Sequence, residues 1–129
     1  MGKEFIPYEQ ALALKKLGFN QSCLSYYSDS FHGGFQHKIS KVYSQTEYSN
    51  QICSTPLYQQ AFRWFREKHK LSVCIESHYT DEWFYFYKIE GEARNYGENK
   101  DYDTYEKTEL ASIKKLIEIV QANEKLIKK

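Results

Sequence analysis

The sequence predicts an α+β fold in the order α-β-β-α-β-β-α, a small antiparallel sheet of two hairpins with three helices. Three observations predict it. Residues 57–70 repeat apolar side chains at helical spacing, residues 71–89 alternate on a two-residue period, and residues 104–127 return to helical spacing over a longer run. At 129 residues the chain has the length of a single domain, 1–129. That is enough surface to bury a core without disulfides or metal.

The first helix is expected from YEQALALKKLGF. Pro7 fits a first turn, where its missing N–H costs nothing. Tyr8, Ala11, Leu14 and Leu17 then fall near one face. Gly18 is the expected C′ residue, with Phe19 folding back on Leu14 as in a Schellman ending. After it, CLSYY and FQHKISKVY read as two strands, reversed through His32-Gly33-Gly34, and SQTEYSNQICS reads as a polar loop.

The second helix is expected from PLYQQAFRWFREKHK. Ser54 or Thr55 would cap it and Pro56 would take its first position. At 100° per residue, Leu57, Tyr58, Ala61, Phe62, Phe65 and His69 share one arc, with Trp64 on the flank. Gln59, Gln60, Arg63, Arg66, Glu67 and Lys70 occupy the opposite arc. Burial accounts for the rings. Arg63, Arg66 and Lys70 form a stripe that is either a solvated back or a contact for phosphate or acidic protein, either of which suits the guanidinium fork.

A hairpin follows. LSVCIESHY places Leu71, Val73, Ile75 and Tyr79 on one face, Thr80-Asp81-Glu82 turns, and WFYFYKIE returns with aromatics on both faces. Such a strand is either central and covered twice, or has outer rings that await a partner. GEARNYGENKDYD, residues 91–103, reads as a loop. Asp103 and Glu106 have the spacing of a capping box. A long helix then carries Leu110, Ile113, Leu116, Ile117, Val120 and Ile127 along one side.

Charge and motifs bound the chemistry. The net charge is only +1, low for a protein dedicated to gripping a long duplex. It is unevenly spread: residues 81–106 hold three basic against eight acidic side chains, a net of −5, while 107–129 hold six against three, a net of +3. The three cysteines, Cys23, Cys53 and Cys74, are odd in number and far apart, as expected of reduced thiols in a cytoplasm. No apolar run approaches the ~20 residues of a membrane helix, and the N-terminus lacks the apolar core of a secretory signal.

Cys53, His69, Cys74 and His78 can be written as a zinc set, but without a C-x-x-C pair or H-x3-H spacing, so no metal or cofactor is expected. No phosphate-binding glycine loop, metalloprotease helix or nucleophile elbow is present. The expectation is a protein without catalytic residues. A Cys74–His78 or Cys53–His69 dyad can be drawn, as the basis of a small cysteine or histidine enzyme, but nothing in the sequence brings either pair together.

PLYQQAFRWFREKHKL and TYEKTELASIKKLIEIV, with YEQALALKKLGF, resemble a family of small phage and prophage proteins of the Bacteroidetes, over about a third of the chain. That resemblance implies an interaction protein without known catalytic residues, similar in outline to anti-CRISPR proteins. Its expected partner is a host RNA-guided effector nuclease of the type VI class, or the guide RNA. A small RNA-binding module for phage gene expression is the alternative. Either reading assigns partner contacts to Arg63, Arg66 and Lys70, with Tyr85, Phe86 and Tyr87 available to stack on bases.

Overall fold

A computed structural model describes residues 4–21, 23–29, 35–43, 51–92, 95–97 and 100–127. The side chains of residues 24–29, 35–43, 51–54, 97 and 127 lie outside that description. The protein is α+β, with three helices and, in its second half, a three-stranded antiparallel sheet. The chain forms two compact units, Met1–Gln60 and Ala61–Lys129, whose boundary falls within the second helix.

In the first unit, α1 spans Tyr8–Lys16 and buries Ala11 and Leu14. Pro7 stands one position earlier than expected. Its backbone is extended and it is the N-cap, with its carbonyl accepting the Ala11 N–H at 2.9 Å. The C-terminus ends as expected. Gly18 N–H donates to the Lys15 carbonyl at 3.1 Å and Phe19 N–H to that of Leu14 at 3.0 Å, the two bonds of a Schellman motif. Phe19 is buried.

Gly18 holds φ at +101°, and a Cβ there would meet nothing within 4 Å. The demand for glycine is therefore conformational rather than steric. Gly18→Ala is expected to cost about 1 kcal/mol, the left-handed penalty less the unfolded-chain entropy that alanine removes. A lowered urea midpoint with unchanged slope checks this, and an unchanged midpoint contradicts it.

Three strands complete this unit: β1 (Cys23–Asp29), β2 (Phe35–Tyr43) and β3 (Gln51–Thr55), antiparallel in the order β2-β1-β3. The first two are the expected hairpin. Its turn at His32-Gly33-Gly34 lies outside the described residues. β3 corrects the reading of SQTEYSNQICS as loop throughout, because the last residues of that stretch pair with β1. The polar composition of the stretch hid a strand whose ladder bonds need no apolar side chains. Thr55, the last residue of β3, and the following Pro56 are buried. Ile6 N–H donates to the Pro56 carbonyl at 3.0 Å, and Phe5 bridges Leu57.

That bridge also corrects the start of the second helix. α2 spans Tyr58–Lys68. Pro56 and Leu57 precede the helix, Leu57 as a bridge to Phe5, and Ser54 and Thr55 belong to β3 instead of capping it.

The second unit's sheet comprises β4 (Ser72–Tyr79), β5 (Trp83–Glu90) and β6 (Asn95–Gly97), in the order β4-β5-β6. β5 is central, as aromatics on both its faces predict. β6 was unexpected: residues 91–103 read as loop, yet Asn95–Gly97 pair with β5 and Tyr102 exchanges both backbone bonds with Tyr85, at 2.9 and 2.8 Å. Tyr102 also stacks on Tyr87, centroids 6.5 Å apart. Tyr102 is thereby held against β5 by both its backbone and its ring.

α3 (Tyr105–Ile127) lies against β5 and, less extensively, β4. Ile113, Leu116, Ile117, Ile119 and Val120 are buried. Its cap is Thr104, whose Oγ1 accepts the Lys107 N–H at 3.1 Å. Asp103, the expected cap, instead accepts the Lys107 ammonium at 2.9 Å, and that hydrogen bond holds its carboxyl below the usual carboxylate range. The buried Thr108 and Ser112 hydroxyls donate to the carbonyls of Thr104 and Glu109, at 2.9 and 2.8 Å, so burying them leaves no donor unmet.

Candidate interaction surface of the second unit

α2 has the orientation its spacing predicts. Ala61, Phe62 and Phe65 are buried while Arg63, Arg66 and Glu67 are exposed. Trp64, placed on the flank by the helical wheel, is buried too. It stands edge-on to Phe65 and to His69, with centroids 5.1 and 4.9 Å away.

Arg63 Nε donates to Glu67 Oε1 at 2.9 Å, and the two side chains are 71% and 56% exposed. A pair this open to water contributes little and does not lock the guanidinium. Arg66, Lys68 and Lys70 make no ion pair among the described residues. Lys70 lies just past the helix end with φ at 58°, the left-handed conformation that reverses the chain. The Phe65 carbonyl accepts both the His69 N–H (3.0 Å) and the Leu71 N–H (3.2 Å) there. Lys68 is a fourth exposed cation that the helical wheel did not single out. It is the last residue of the helix and is exposed, although the helical period puts it on the buried arc.

His69 closes this end from inside. Its Nε2 is buried with no hydrogen-bond partner among the described residues. Burial first, and the Lys68 charge second, push its pKa below 6.5, against a smaller upward pull from Glu124. The proton therefore binds the unfolded chain more tightly than the folded one. Stability is full above about pH 6.5 and falls as pH drops from there through the folded-state pKa. His69→Phe, which keeps a ring against Trp64, is expected to flatten that part of the stability–pH profile. Urea midpoints from pH 7 to pH 5 check it, and an unchanged slope contradicts it.

The β5 aromatics are correction enough for part of the expected site. Tyr87 is only 2% exposed and cannot offer its ring to a base. Tyr85 is half-buried, edge-on to Tyr105 at 5.9 Å. Phe86 is half-buried between the His78 ring at 5.7 Å and the Lys88 ammonium, 5.7 Å from its centroid. All three rings work mainly within the fold. The exposed pair is one position set further out: Tyr79 and Trp83, 63% and 54% exposed, directly opposed across β4 and β5 with centroids 5.3 Å apart. Both lie on the same face of the sheet as the buried Tyr87 and Ile89. At the hairpin end that face runs past the buried part of the sheet.

An open groove of about 700 Å³ lies along α3, lined by Phe84, Tyr102 and Leu110, by four lysines (Lys100, Lys107, Lys114 and Lys115) and by three acids (Asp101, Asp103 and Glu118). Its cations are largely matched. Lys107 pairs with Asp103, Lys115 with Glu118 at 3.4 Å, and Lys100 lies 5.2 Å over the Tyr102 ring. The end of α2 is less compensated.

For catalysis or metal binding the described residues supply little. Cys74 and His78 are four residues apart on an extended strand, roughly 13 Å, beyond a nucleophile–base hydrogen bond. The side chain of Cys53 lies outside the description. Among the described residues no three His, Cys, Asp or Glu side chains gather as a metal set, and no helix is long and apolar enough to cross a membrane. Comparison with protein-family models, with curated proteins and with solved structures finds no match to this chain.

Proposed function

We propose that this protein acts by binding, and that the exposed cations at the end of α2 engage the phosphates of an RNA. The observation that carries the reading is one arrangement: Phe62, Trp64 and Phe65 buried, while Arg63, Arg66, Lys68 and Lys70 face solvent with a single acid, Glu67, among them. The helix fixes where the arginine side chains leave the backbone, and their charge-assisted bonds to phosphate are the strong ones. The geometry supports an anionic partner in general. The resemblance to phage and prophage proteins supports the specific form, an inhibitor that occupies the guide RNA of a host RNA-guided effector nuclease and blocks productive assembly. A phage-encoded inhibitor of this kind would work in the host bacterial cytoplasm.

The test is reconstitution. The purified protein, added to a type VI effector with its guide, is expected to co-elute with the complex on gel filtration and to suppress target-RNA cleavage. Full cleavage with no complex would defeat the inhibitor reading. Salt-sensitive binding to bare RNA with cleavage intact would instead leave an RNA-binding module.

A further inference from the structure

The β4–β5 hairpin has the opposite electrostatic character from the end of α2. Residues 72–87 contain no lysine or arginine, and their charged side chains are Glu76, Asp81 and Glu82. Glu76 is matched by Lys88 at 3.5 Å. Asp81 and Glu82 are exposed in the turn and make no ion pair among the described residues. Immediately beside them stand Tyr79 and Trp83, two large rings in mutual contact and more than half open to water.

Scattered single apolar residues on a surface need no explanation, but an opposed aromatic pair at a strand end is a preformed contact. Rings of this kind accept either a nucleobase or a cation on their faces. The two flanking carboxylates decide between these. They repel the phosphates that must accompany a base, and they accept the N–H groups of a guanidinium whose plane lies on the ring.

We infer that the hairpin end formed by Tyr79, Asp81, Glu82 and Trp83 docks an arginine-rich segment of a partner protein. This surface and its partner chemistry differ from those of α2. A protein that carries RNA presents both chemistries, phosphates and the basic surface that holds them, so one target can satisfy both sites. The inference does not require that it be the same target.

Tryptophan emission reports on the site, because Trp83 is exposed whereas Trp64 is buried. Titration with a nona-arginine peptide is expected to give a saturable change that disappears in Trp83→Phe. In the double variant Asp81→Lys/Glu82→Lys the affinity should fall at least about tenfold, because two attractive charges become repulsive. Nona-lysine, which cannot stack as a plane, should bind several-fold more weakly than nona-arginine. All four positions are exposed, so far-UV circular dichroism of the variants should match the parent chain. Absence of a saturable change overturns the inference, as does equal affinity after charge reversal, or an oligouridine that competes equally well. The double variant keeps every cation of α2, so loss of arginine binding with RNA binding intact separates this site from the one proposed above.

Discussion

Phe65→Ala is expected to destabilise the protein by about 3–5 kcal/mol. The Phe65 side chain is fully buried, its ring lies 5.1 Å from that of Trp64 and 5.9 Å from that of His69, and its carbonyl anchors the chain reversal through Lys70. Truncation leaves a cavity beside groups that cannot follow it, since Trp64 is held on the same helical turn and His69 by the backbone bond to Phe65. Against a total stability of about 5–15 kcal/mol for a domain, such a loss brings the chain close to unfolding at room temperature. Denaturant unfolding measures it. A cost below about 1 kcal/mol would mean that the ring is not packed as described.

The second large effect concerns binding. Arg66→Glu with Lys70→Glu is expected to weaken RNA affinity by about 100-fold at 0.1 M salt, from the loss of two charge-assisted contacts of about 1.5 kcal/mol each. Stability should change little, because both side chains are exposed and neither makes an ion pair among the described residues. Arg63→Ala should cost less than either reversal, since Glu67 already offsets part of its charge. Filter binding or fluorescence anisotropy with a fluorescein-labelled oligouridine measures the affinities. An undiminished affinity in the double variant would remove α2 from the proposal.

What was legible in the sequence follows from how local its cause is. The α1 ending needs only Gly18 and the residues on either side, and it forms as expected. The two faces of α2 and α3 follow from helical spacing, and the β4–β5 turn from the alternation that flanks it. Boundaries set by partners distant in sequence were not legible. Leu57 lies outside α2 because Phe5 bridges it, and Asn95–Gly97 form a strand because β5 offers a free edge. The cap of α3 moved from Asp103 to Thr104 because Lys107 takes the Asp103 carboxylate.

The candidate site divided the same way. Exposure of Arg63 and Arg66 follows from the helix alone. Whether Tyr85, Phe86 or Tyr87 is free depends on Tyr102, Tyr105, His78 and Lys88, which no strand period reveals. Exposure of Tyr79 and Trp83 depends on where the buried part of the sheet ends, a matter of packing rather than of alternation. Their position beside an acidic turn, in TDEW, was the available signal.

The salt dependence of RNA binding tests the central reading most directly. For single-stranded RNA each phosphate neutralised adds about 0.7 to the slope of log affinity against log salt. Replacing Arg63, Arg66 and Lys70 together by alanine should reduce that slope by about 2 while the unfolding midpoint stays put. A folded triple variant with the parent slope, or a parent chain whose RNA affinity ignores salt, would contradict it.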